Sequence, residues 1–153
     1  MEKQDFIQTQ VEQALNRIGF IDHYEAMSNQ FHERNESFIY DLERVVEYTR
    51  TLGLPLKYTK SKEFFSEEVI GAFTFKFGFT IRFNSFEFGL SIINESIGIQ
   101  TSAPWHLLIQ LMTDWGKQGG VVAFKDYEDI NGILTHFVRI CQSIKVELLR
   151  NYP

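Results

Sequence analysis

Residues 69–101 read VIGAFTFKFGFTIRFNSFEFGLSIINESIGIQT, and the alternation in this stretch decides the fold. From Val69 to Phe83 the odd positions are apolar or glycine: Val69, Gly71, Phe73, Phe75, Phe77, Phe79, Ile81 and Phe83. The even positions from Thr74 to Asn84 are polar or glycine. A period of two sends alternate side chains to opposite faces, which is the pattern of a half-buried strand. After Asn84-Ser85 the parity flips, and Phe86, Phe88, Leu90 and Ile92 become the apolar set. A two-residue turn there sets Phe83 opposite Phe86, Ile81 opposite Phe88, Phe79 opposite Leu90 and Phe77 opposite Ile92. Asn94-Glu95 repeats the device, pairing Ile92 with Ile97 and Leu90 with Ile99. The expectation is an antiparallel β-meander over 69–83, 86–93 and 96–101, with one aromatic face. A strand from 69 to 83 exceeds the usual length, so a bend or bulge is expected near Gly78.

The flanking segments show the helical spacing that such a face needs to be covered. Residues 2–18 place Phe6, Ile7, Val11, Ala14, Leu15 and Ile18 on one side, with Gly19 as a stop. Residues 20–31 suggest a shorter helix capped by Asp22. A stronger helix is read over 36–52, ended by Gly53 and Pro55. Residues 56–60 read as a short edge strand and 61–68 as a loop. Ser102 and Pro104 are placed at the start of a helix over 103–115, nearly apolar all round. A short strand over 121–124 follows, and then a helix capped by Asp126 and striped with Ile130, Ile133, Leu134, Phe137, Val138 and Cys141. The order is α-(α)-α-β-β-β-α-β-α, an α+β fold with helices packed on one face of the meander.

At 153 residues the chain reads as a single domain. Its helical third covers 1–53, its sheet 56–101 and its C-terminal helix-strand-helix 103–150. The net charge is −5. Residues 1–50 hold ten Asp and Glu against five Lys and Arg, and the remainder holds ten of each, so the excess lies in the first third. That distribution argues against nucleic-acid binding, which needs a concentrated basic surface, and fits a basic protein partner. No apolar run marks a secretory leader or a membrane span, and the lone Cys141 suits a reducing compartment. A cytoplasmic protein is expected.

Catalytic patterns are absent from the sequence. His23, His32, His106 and His136 have no metal-ligand spacing, and the glycines form no phosphate loop. Cys141 sits on an apolar stripe, where a thiol is packing rather than nucleophile. Asp126, Glu128 and Asp129 match helix capping and the helix dipole. No catalytic residue, cofactor or metal is expected.

Three surfaces remain. The outer stripe of the 36–52 helix carries Glu36, Tyr40, Glu43 and Glu47 with Asp41 and Tyr48 beside it, the residue types that meet a basic partner. The polar face of the meander sets Arg82 opposite Glu87, with rows Thr80, Gly89, Gln100 and Gly78, Ser91, Gly98 beyond. Glycines inside strands mark a bend or a close approach, which makes this a second candidate surface. The Phe-lined face is core for the helices, or else a pocket for an apolar ligand. In size, acidity and α+β architecture the chain resembles bacterial toxin-neutralising immunity proteins. The resemblance implies non-enzymatic occlusion of a basic partner; secretion-chaperone-like adaptors share the same traits.

Overall fold

The computed structural model describes residues 2–59 and 63–153. The stretch expected as one long strand is two, β2 (Glu63–Ile70) and β3 (Phe73–Arg82), following a two-residue strand β1 (Lys57–Tyr58). A turn at Gly71-Ala72, with Gly71 at φ 60°, joins them. The expected loop over 61–68 is thus corrected from Glu63 onward; Lys60, Ser61 and Lys62 lie outside the described residues. A two-residue turn flips parity, so Val69 is on the outer face, 68% exposed, while Ile70 pairs with Phe73. Pairing is unbroken across Gly78, which faces Phe65 on one side and Gly89 on the other. No bulge forms there, because the turn has already divided the long run.

β3 pairs with β4 (Ser85–Asn94), and the turn between them is Phe83-Asn84, both in the left-handed region at φ 51° and 55°. Twin positive φ values mark the turn whose twist suits a hairpin. It lies one residue earlier than the pattern suggests, which moves the pairing by two. Ile81 therefore faces Phe86, Phe79 faces Phe88, Phe77 faces Leu90 and Phe75 faces Ile92. A shift of two preserves the faces, so the aromatic side stays buried. Phe83 leaves it and is 75% exposed.

The next connection is longer than expected. A short helical turn over Glu95–Ile97 and left-handed Gly98 (φ 73°) lead into β5 (Ile99–Pro104). Ile92 then faces Thr101 and Leu90 faces Ala103. Ser102 is a strand residue rather than a helix cap, and α4 (Trp105–Met112) starts directly after Pro104. A two-residue β6 (Val122–Ala123) pairs with the start of β4 and completes a six-stranded antiparallel sheet.

The helices are shorter than their apolar patterns, except the last. α1 spans Thr9–Arg17 after a separate turn over Lys3–Asp5. α2 (Phe20–Gln30) begins at left-handed Gly19 rather than at Asp22. α3 covers only Leu42–Thr51, capped by Asp41, whose carboxylate accepts the Glu43 N–H at 2.9 Å. Residues 32–41 are irregular because Phe38 and Tyr40 are held edge-on against Phe124 at 6.2 and 5.6 Å. α5 runs from Tyr127 to Asn151, with Asp126 accepting the Asp129 N–H and Asp129 accepting that of Lys125.

α5 fills the aromatic face. Phe137 lies 5.3 Å from Phe79, 5.2 Å from Phe88 and 5.5 Å from Trp105, ring centre to ring centre. Phe73, Phe75, Phe77 and Phe79 are buried beneath the helical layer. The Phe-lined face is the core, and Cys141 lies fully inside it with its thiol pKa pushed well up by burial. At the far side Gln8 closes the β5 edge. Its side-chain amide donates to the Gln100 carbonyl at 2.9 Å and accepts the Gln100 N–H at 2.8 Å, as a neighbouring strand would. Among the described residues no helix is long and apolar enough to cross a membrane.

Candidate functional site

The acidic stripe expected on one helix is not a helix face. Glu36 and Tyr40 precede α3, Asp41 caps it, and Glu43 and Glu47 lie along it. Both tyrosines are consumed by the fold. Tyr40 packs on Phe124, and its hydroxyl pKa is raised by burial and then by Tyr58. Tyr48 sits 6.5 Å from the Tyr127 ring and accepts a hydrogen bond from Arg44 at 3.0 Å. The Arg44 guanidinium lies 3.7 Å over Tyr127, and Glu47 pairs with Arg50 at 2.7 Å. Of the six residues, Glu36, Asp41 and Glu43 keep exposed carboxylates without a salt bridge among the described residues.

The same irregular segment exposes a large apolar side chain. Ile39 is 88% exposed, and Phe83 stands at the neighbouring hairpin tip. The Asn84 side-chain amide donates to the carbonyls of Asn35 and Phe38, at 2.7 and 2.9 Å. The Phe124 N–H donates to the Asn84 carbonyl at 3.0 Å, and the Asn35 N–H to that of Phe124. Ile39 and Phe83 are each one residue from the same hydrogen bond, so both project from a braced platform. Residues 32–43, the segment that carries Ile39, hold Glu33, Glu36, Asp41 and Glu43 against Arg34, with Glu33 reaching Lys125 at 3.9 Å. Two exposed apolar side chains in an acidic rim have the composition of a small protein interface. Phe83 also takes a backbone conformation that L-residues with large side chains avoid, and such strain gathers at functional positions. The available sequence signal was the Phe-Asn pair itself, read as the end of a strand.

The second candidate surface forms in part. Gly78, Thr80, Gly89 and Ser91 line a trough of about 480 Å³ on the outer face of the sheet. Gly98 and Gln100 do not: the first is in the β4–β5 loop and the second is held by Gln8. With the register moved by two, Arg82 faces Ser85 and Glu87 faces Thr80, so the expected Arg82–Glu87 pair is not formed across the strands. Glu63, Lys76, Ser102 and His106 complete the walls.

The remaining titratable groups do not converge. Among the described residues no three His, Cys, Asp or Glu side chains gather in a way that would hold a metal ion. His136 packs against Phe31, and burial, with Arg139 and His23 nearby, lowers its pKa. No family model, curated protein or solved structure matches this chain.

Proposed function

We propose that this chain is a non-enzymatic domain that binds a basic protein and works by covering it, in the manner of a toxin-neutralising immunity protein. The observation that carries the reading is the pair Ile39 and Phe83, exposed on the braced platform in a segment whose Glu36, Asp41 and Glu43 carboxylates form no salt bridge among the described residues. The carboxylates of Glu36, Asp41 and Glu43 steer a cationic partner inward, and the two apolar side chains hold it once water is expelled. Tyr40 and Tyr48 support the platform from beneath rather than touching the partner. A cytoplasmic setting belongs to the same proposal and rests on the single, fully buried thiol.

The test begins with partners recovered by pull-down from the source cells, followed by binding kinetics on variants. Replacing Glu36 and Glu43 together by Gln is expected to slow association and flatten its salt dependence, because steering is screened over about 10 Å at 0.1 M salt. Phe83→Gly is expected to speed dissociation by roughly 30-fold, the equivalent of about 2 kcal/mol for an anchoring aromatic. The same change relieves a left-handed φ of 51°, so its thermal midpoint should hold or rise. A partner that binds Phe83→Gly and Ile39→Ser as tightly as it binds the parent chain would place the interface elsewhere.

A further inference from the structure

The two glycines of the outer-face trough have different explanations. A Cβ on Gly78 would stand 2.5 Å from the Phe64 carbonyl oxygen and 3.0 Å from the Phe65 Cβ, so the sheet itself requires that glycine. A Cβ on Gly89 would meet only the Ala103 oxygen, at 3.8 Å, an ordinary contact, and Gly89 does not have positive φ. Glycine in the middle of a strand weakens it. At position 89 neither the backbone nor a neighbour asks for it, and what it leaves is open space above the sheet.

The walls of that space carry polar side chains, with Glu87 and Ser102 exposed and Ser91 half-buried. Across the strands the rows run Glu63, Thr80, Glu87, then Phe65, Gly78, Gly89, Pro104, then Lys76, Ser91, Ser102. Lys76 leans toward β2, with its ammonium 3.6 Å from Glu63 and 4.6 Å from the Phe65 ring centre. The β4 side of the trough is therefore left with the Glu87 carboxylate and the Ser91 and Ser102 hydroxyls. Among the described residues none of these three side chains has a protein partner. Arg82, the obvious competitor for Glu87, sits opposite Ser85 and is not part of the lining.

We propose that this trough is a binding site for a small organic cation, an ammonium or guanidinium group on a short aliphatic stem. The cationic head meets Glu87 and the stem lies over the Gly78–Gly89 floor, so that its far end reaches toward Ser91 and Ser102, two rows from Glu87. A volume of about 480 Å³ is that of a small-molecule site. The proposal does not depend on the protein-binding reading, which uses the hairpin tip and the 32–43 segment.

The test is a titration of isotopically labelled protein with n-butylguanidinium and with n-butylurea, its neutral isostere, following backbone amide shifts at Gly89, Ser91 and Ser102. Saturable shifts with the cation are expected, at an affinity at least about tenfold tighter than with the urea, since hydrogen bonds to a charged group are the stronger kind. Glu87→Gln should remove that difference. Gly89→Val should abolish the shifts while the urea midpoint of unfolding holds or rises. The proposal is overturned if the cation gives no saturable shift, if butylurea binds equally well, or if Gly89→Val still binds. It is also overturned if both Gly89→Val and Gly89→Ala destabilise the fold, because the glycine is then structural. Loss of the shifts in a protein-binding variant such as Phe83→Gly would show the two surfaces to be one, and would likewise overturn a separate site.

Discussion

Glu147 accepts hydrogen bonds from the Arg17 Nε at 2.5 Å, from Arg150, and from the Asn151 amide at 3.0 Å, with only 5% of the residue exposed. The Arg17 bond is the main reason its pKa lies below the usual carboxylate value; burial opposes it, and Arg150 and Asn151 add to it. A carboxyl with a lowered folded-state pKa stabilises the fold above its ordinary value of 4.5, and that stability is lost as pH falls through the folded-state pKa. Glu147→Gln is therefore expected to lower the urea midpoint at pH 7 and to differ progressively less from the parent below pH about 4.5. An unchanged gap between the two proteins at acidic pH would reject the assignment. Nothing local announces this cluster, because Arg17 and Glu147 are 130 positions apart. Cys141 was legible for the opposite reason, since Phe137, Val138 and Ile144 at helical spacing from it are apolar.

At the level of the hairpins, parity was legible from Phe73 to Ile81 and from Phe86 to Ile92, while Val69 and Phe83 left the expected face and the register was not legible. Alternation reports which face a residue occupies, and a shift of two leaves every such assignment intact. The turn at Phe83-Asn84 was hidden because an aromatic residue at positive φ is disfavoured, whereas Asn is a natural first turn residue. β2 was missed because Phe64 and Phe65 are adjacent and Glu67 and Glu68 follow, so its alternation is broken just where it pairs with β3. The glycines give a test at this scale. Gly78→Ala pushes a methyl group against the backbone of β2 and is expected to destabilise the sheet by about 1–3 kcal/mol, the usual penalty for overpacking. Gly89→Ala should be near neutral. Equal urea midpoints for the two variants would contradict the geometry at Gly78.

At the scale of the molecule, the α+β class followed from a meander that needed covering and from amphipathic segments on both sides of it. Which helix covers which part did not follow, because amphipathicity reveals that a face is buried but not against what. The structure ties the beginning of the chain to its end. Gln8 bonds the backbone at Gln100, and Arg17 joins Glu147, so α1 is fixed between the last long strand and the last helix. A fragment of residues 1–124 is expected to lack a cooperative urea transition, and a peptide of residues 125–153 added in trans should restore it. A fragment that unfolds cooperatively by itself would show that α5 is dispensable to the core. On the ribosome, α1 leaves the exit tunnel well before α5 does, yet it is packed only once α5 is in place. Its apolar stripe of Val11, Ala14 and Leu15 must wait for α5. Until the ribosome has delivered α5, that stripe is open to chaperones.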